Sequence, residues 1–130
     1  MLRRSSRPER GAATVEFALV LPILFLVLLA VVQVAAIARD RLILAQAARA
    51  GVREAAVQDS EEAVVQATRA GGPGLDPTVL HVSVARAGAR GSPVTVTLEY
   101  EAPVAGVLAG WLLPASVTLR ASATARQEFG

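Results

Sequence analysis

An uncharged hydrophobic run constrains this chain more than any other feature. From Phe17 to Ala38 the sequence reads FALVLPILFLVLLAVVQVAAIA, 22 residues without a charge. As an α-helix rising about 1.5 Å per residue, the run would span roughly 33 Å, close to the ~30 Å hydrocarbon core of a bilayer. A helix of a soluble protein would carry a polar stripe, whereas only Gln33 interrupts this run. The sequence therefore predicts a helix that crosses a membrane.

Basic residues before the run predict its orientation. Residues 1–11 contain a single acidic residue, Glu9, and four arginines: Arg3, Arg4, Arg7 and Arg10. Positive residues tend to remain in the cytoplasm, so we expect a single-pass protein of the cell membrane with a cytoplasmic amino terminus and an extracytoplasmic carboxyl end. Arg39 and Arg41, just beyond the run, reduce this asymmetry.

The rest of the chain is not basic. The formal net charge is +2, from 13 basic and 11 acidic residues; without residues 1–11, nine basic and ten acidic residues remain, a charge of −1. A nucleic-acid-binding surface needs a basic patch in the folded part, so we expect no nucleic-acid partner. The chain has no cysteine, which excludes disulfides and thiolate metal sites.

A helical segment should follow the membrane run. The stretch RDRLILAQAARAGVREAAVQ is rich in Ala, Leu and Arg, which favour helices, and Gln46, Arg49 and Arg53 share one helical face. Asp59, with Glu62 three residues later, predicts the amino-terminal cap of a second helix or a restart of the first. The sequence AGGPG at residues 70–74 should end it.

Beyond this point the periodicity changes to that of strands. Apolar and polar residues alternate along TVLHVSVAR, PVTVTLEY and SVTLRASATAR, and GARGSP predicts a hairpin loop. The apolar stretch PVAGVLAGWLLP fits a loop, a short helix or a lipid-facing contact. The predicted fold class is α+β, a long amino-terminal helix followed by a small antiparallel sheet. We predict a basic leader at 1–11, a transmembrane helix at 12–38, an extracytoplasmic helical region at 39–70 and a sheet domain at 71–130.

Two motifs give the chain a family resemblance. GAATVEFALVLP places Gly, small residues and then Glu-Phe at the head of the apolar run, and RLILAQAARAGVREA follows the run. With both motifs at this spacing, residues Gly11 to Ala56 resemble the TadE-like pseudopilins of tight-adherence (Flp-type) pilus systems. The sheet region carries no signature of that family.

The resemblance implies cleavage and assembly sites. A prepilin peptidase would cut the leader between Gly11 and Ala12, although type IV pilins often have Phe or Met where this chain has Ala12. Glu16 then becomes the fifth residue of the mature protein, the position of the glutamate in such pilins. The resemblance implies subunit assembly through Glu16 and Phe17, and through Pro22 if a kink there lets subunits bend. A surface carboxylate near the first helical turn and a tolerated membrane-helix proline are the simpler interpretations.

The resemblance also implies partners and a role. Arg49, Gly51 and Arg53 match the family's Arg-x-Gly-x-Arg pattern and would contact partner subunits, with a solvated helical face as the alternative. The implied partners are the prepilin peptidase, other pilins or pseudopilins, the inner-membrane platform of the pilus machinery and the lipid bilayer. Major pilins of the family are much shorter, so the length favours a minor pseudopilin.

Two other functions remain open from the residues alone. The sequence AIA at residues 36–38 fits a signal-peptidase site, which would release a secreted domain beginning at Arg39. Against this, the run exceeds the ~7–15 residues of a signal core. An uncleaved anchor holding a small extracytoplasmic binding domain is the other alternative.

No catalytic or metal-binding constellation is present in the sequence. His81 is the only histidine, and Glu99 and Glu101 fit an exposed strand face better than a catalytic pair. We therefore expect no enzymatic activity, no cofactor and no metal. Trp111 is interpreted as local packing, with a partner or membrane-interface contact as the alternative.

Overall fold

The computed structural model describes the backbone of residues 9–129 and the side chains of residues 11–129. Most of the predicted leader, residues 1–8, lies outside this range. The described chain contains two helices and three strands: α1 (Glu9–Val57), α2 (Glu61–Gly71), β1 (Leu80–Arg86), β2 (Pro93–Pro103) and β3 (Ser116–Arg126). The predicted α+β class, a long amino-terminal helix followed by a small antiparallel sheet, is confirmed.

Helix α1 continues through two residues that weaken helices. Pro22 lies inside it, where the missing N–H removes the hydrogen bond to the carbonyl of Ala18. Gly51 also lies inside α1. The chain divides into two compact units, one reaching to Val34 and the other beginning at Ala35.

The apolar side chains of the first unit are uncovered. Every side chain from Gly11 to Phe25 is exposed, including Phe17 at 65% and Leu19 at 69%. Such a surface is unfavourable in water and suits hydrocarbon. Within the described residues, α1 is the helix that is long and apolar enough to cross a membrane. This finding supports membrane anchoring.

The second unit is built around a three-stranded antiparallel sheet in the order β1-β2-β3. Its central register aligns Val82 with Leu98 and Leu98 with Ala121. On β2 the residues that face the core are buried, and the residues between them are less so, which is the alternation predicted for a half-buried strand. The core combines strand and helix residues: Leu44, Ala47, Ala48, Val52, Ala55, Ala56, Val64, Val94, Val96, Leu98 and Tyr100.

The predicted start of α2 is wrong by one residue. Ser60, with extended backbone angles, is the cap, and its Oγ accepts a hydrogen bond from the backbone N–H of Ala63 at 3.3 Å. Asp59 instead places Oδ1 3.4 Å from Nε of Arg86 on β1. Both residues are good caps, and in the folded chain Asp59 lies beside Arg86 while Ser60 caps the helix. The predicted end is confirmed, because α2 stops at Gly71 within AGGPG.

Candidate assembly segment

The predicted cleavage and assembly residues lie together near the start of α1. Gly11 and Ala12 are within the helix, and a side chain added at Gly11 would meet nothing within 4 Å. Cleavage after Gly11 stays a prediction.

Glu16 and Phe17 are exposed on this part of α1. Among residues 11–129, no basic side chain forms a salt bridge with Glu16. Pro22 is exposed as well. A carboxylate at the head of an otherwise uncharged apolar run is costly in hydrocarbon unless a cation pairs with it.

The residues of the Arg-x-Gly-x-Arg pattern lie in two different environments, one exposed and one buried. Arg49 and Arg53 are exposed, one helical turn apart, and are therefore accessible to a partner. Gly51 is buried against Thr68 of α2 in the same chain. A Cβ at Gly71 would lie only 2.5 Å from Cβ of Ala50, which shows that α1 and α2 pack closely along this line. The structure gives Gly51 an intramolecular role that the pattern alone did not distinguish from a subunit contact.

Arg86 is an important residue that the sequence reasoning missed. It donates hydrogen bonds from Nη1 to the carbonyl of Ala55 at 2.6 Å and from Nη2 to the carbonyl of Gln58 at 3.1 Å. The last turn of α1 contains no basic residue of its own, so β1 supplies the cation that its carboxyl end favours. The sequence did contain a sign of this role. Arg86 continues the inward-facing series Leu80, Val82 and Val84 on β1, where a buried charge requires partners.

The polar residues of the sheet form its outer face. Oε1 of Glu99 forms an ion pair with Nε of Arg120 at 2.9 Å across the β2–β3 pair, and His81 lies opposite Glu99 in the β1–β2 register. His81 and Glu101 are exposed, as predicted for a polar strand face. Among the described residues, no three His, Asp or Glu side chains are close enough to hold a metal ion.

Two loops lie at the other end of the strands from Arg86. Before β1, the hydroxyl and the backbone N–H of Thr78 donate to Oδ1 of Asp76 at 2.7 and 2.9 Å, and these bonds hold the pKa of that carboxyl below its ordinary value. Between β2 and β3, the side chain of Trp111 is 73% exposed. The interpretation of Trp111 as local packing is therefore wrong.

The fold and the exposed apolar helix define a class of protein, an α+β chain with an amino-terminal anchor-like helix and a small antiparallel sheet. Within it, residues 11–53 match the family model described as TadE-like protein. The family resemblance is thus confirmed over the apolar run and the following segment as far as Arg53. Searches of curated proteins and of solved structures found no match.

Proposed function

We propose that this chain is a minor pseudopilin of a tight-adherence, type IV-like pilus, cut by a prepilin peptidase and assembled through its amino-terminal helix. The observation that carries the proposal is the TadE-like match over residues 11–53, with Glu16 exposed at the head of the apolar run inside it. The function is structural rather than enzymatic.

Cleavage after Gly11 would create the cation that Glu16 needs. The new ammonium on Ala12 lies about 6 Å along the helix axis from Glu16, at 1.5 Å per residue. In the assembly, a neighbouring subunit shifted along the axis brings its ammonium to the carboxylate. Any other register leaves two charges in hydrocarbon without partners. Glu16 therefore sets the register between subunits.

The anchoring helix places the chain in the cell membrane. The arginines of the leader keep the amino terminus in the cytoplasm, and the second unit is then extracytoplasmic. There Arg49 and Arg53 present two guanidinium groups, which bind carboxylates of other pilins or of the assembly platform. The bilayer, the peptidase and these pilus proteins are the partners of the chain.

The continuity of α1 supports this proposal over a secreted domain. A signal peptidase cutting after Ala38 would have to break α1 in its interior. The cut would also remove Ile37, which packs against the core of the second unit. A domain beginning at Arg39 would lose part of its own packing, whereas a cut after Gly11 leaves the second unit intact.

The test is Glu16→Gln, expressed in cells that make the pilus. The variant should be cleaved like the wild type, because the charge is not at the scissile bond, and should be lost from the sheared pilus fraction or from cross-links to other pilins. Glu61→Gln is the matched control, since Glu61 is an exposed carboxylate at the start of α2. Wild-type incorporation of Glu16→Gln would contradict the proposal.

A further inference from the structure

An apolar loop of the second unit remains uncovered. From Ala102 to Leu119 there are 18 consecutive residues without a charge, and residues 104–115 of this stretch connect β2 to β3. We call residues 104–115 the tryptophan loop. Val107, Trp111 and Leu112 are 70%, 73% and 63% exposed.

The tryptophan loop is folded rather than loosely extended. Val104 and Leu108 are buried. The backbone N–H of Val104 donates to the carbonyl of Ala115 at 3.0 Å, and that of Gly110 donates to the carbonyl of Leu113 at 2.8 Å. Gly110 has φ +80°, a conformation that glycine adopts at little cost. The loop therefore holds its apolar tip outward as a defined structure.

Contacts within the second unit place this loop at one end of it. At the opposite end Arg86 and Glu128 bond to the carbonyls of Ala55 and Ala56, in the last turn of α1. The β2–β3 turn is at the other end of the strands, beyond the pairing of Pro103 with Ser116.

This other end is where α1 enters the second unit. The backbone N–H of Asp76 donates to the Tyr100 hydroxyl, and a Cβ on nearby Gly74 would lie 3.5 Å from Nη2 of Arg39. Arg39 follows the predicted membrane run by one residue, so the chain passes from that run into the second unit at this end.

We propose that the tryptophan loop rests in the interfacial layer of the same bilayer that α1 crosses, with Trp111 as its anchor. The inference rests on the membrane anchoring that is part of the proposed function. Tryptophan favours the membrane interface because its ring is apolar and its N–H is polar. Arg39 is exposed at the same end, with Nη1 3.6 Å from Asp40, and can also meet lipid phosphates. An uncharged, apolar tip that carries a tryptophan fits a lipid interface.

The chain offers a direct probe, because Trp111 is its only tryptophan. The full chain is reconstituted in nanodiscs, which leave both membrane faces accessible, and Trp111 fluorescence is measured with brominated phosphatidylcholine and with aqueous iodide. We expect blue-shifted emission, strong quenching by the brominated lipid and weak quenching by iodide.

A matched control moves the tryptophan to the opposite end of the sheet. The double variant Trp111→Phe/Ala89→Trp places it in the β1–β2 loop, where Ala89 is exposed. Its tryptophan should show the reverse pattern, quenched by iodide and not by the brominated lipid.

Three other outcomes would each overturn the inference, and the measurement distinguishes them from one another. Strong iodide quenching of Trp111 in a chain that stays with the nanodisc would show a loop in water and leave the anchor intact. Protection from both quenchers would show a protein contact instead, such as a second copy. A chain that does not remain with the nanodisc would contradict the anchoring and with it the proposed function.

Discussion

Gly51 of α1 faces Thr68 of α2 so closely that a Cβ on Gly51 would lie well under 3.0 Å from the Thr68 hydroxyl oxygen. Thr68 is fully buried, and its hydroxyl donates to the carbonyl of Val64 at 2.7 Å. The two helices thus approach each other as closely as a glycine allows. A residue within the family motif is required by the fold of this chain.

Gly51→Ala should therefore destabilise the second unit. Overpacking costs about 1–3 kcal/mol, and the better helix propensity of alanine returns about 1 kcal/mol. We expect a net loss of about 0–2 kcal/mol, nearer the upper value because the new Cβ would lie so close to the Thr68 hydroxyl, measured by thermal unfolding of the full chain in a mild detergent.

Thr68→Ala should rescue that variant, because it removes the oxygen that the new methyl group meets. The double variant Gly51→Ala/Thr68→Ala should be more stable than the sum of the single changes predicts, by about 1 kcal/mol or more. Additive effects would mean that the two residues do not meet in the folded chain.

Charge removal at Arg49 and Arg53 should separate assembly from folding. Both side chains are exposed, so Arg49→Gln/Arg53→Gln should change stability by less than about 0.5 kcal/mol. We expect weaker cross-linking to other pilins in cells. Unchanged cross-linking would make these arginines part of a solvated helical face.

Arg86→Ala should be the most damaging arginine substitution in the sheet. Hydrogen bonds to charged groups contribute about 1.5–3 kcal/mol, and Arg86 makes two to the end of α1 while its side chain is only 18% exposed. We expect a loss of about 2–3 kcal/mol in the same unfolding measurement.

Two variants control the Arg86 prediction. Arg86→Lys should recover only part of the stability, because an ammonium lacks the planar fork that reaches two carbonyls. Arg120→Ala removes an exposed ion pair with Glu99 and should cost about 0–1 kcal/mol. An Arg86→Ala effect no larger than that of Arg120→Ala would contradict the capping role.

Asp76 should give the second unit a pH-dependent stability. The Thr78 hydroxyl and backbone N–H hold the pKa of Asp76 below its ordinary value of 3.8. A carboxyl with a depressed pKa in the folded state stabilises above its unfolded pKa and loses that contribution as the pH falls through the folded pKa.

Asp76→Ala tests this dependence. The Tm of the variant should be below that of the wild type at neutral pH, and the difference should shrink as the pH is lowered past 3.8 toward the depressed folded value. Thr78→Val should also lower the Tm at neutral pH, and this smaller difference should likewise shrink at low pH. The effect is smaller because the variant keeps the backbone N–H that donates to Asp76. A difference in Tm that does not change with pH would rule out the charge as its source.

The periodic parts of the fold were predictable from the sequence. The three strands and the long helix follow from residue-to-residue patterns, and the alternation in PVTVTLEY predicted the buried face of β2 correctly. The two family motifs, GAATVEFALVLP and RLILAQAARAGVREA, are also local patterns. Both lie on the continuous helix α1, so they can be found without tertiary information.

What could not be predicted depends on contacts between distant segments. Asp59 and Ser60 are equivalent caps in sequence, and the contact of Asp59 with Arg86, 27 positions further on, is not visible in any local pattern. Gly51 was predicted as a subunit contact because its partner in this chain, Thr68, lies on another helix. Trp111 was interpreted as local packing because hydrophobicity alone does not distinguish a buried apolar side chain from an exposed one.

Processing by a prepilin peptidase would leave a defined amino terminus on the mature chain. The measurement is the intact mass and amino-terminal sequence of the protein purified from its native membrane. We predict a chain that begins at Ala12 and retains the apolar helix. A chain beginning at Arg39 would contradict the account in favour of a secreted domain, and an intact Met1 would contradict it in favour of a plain membrane anchor.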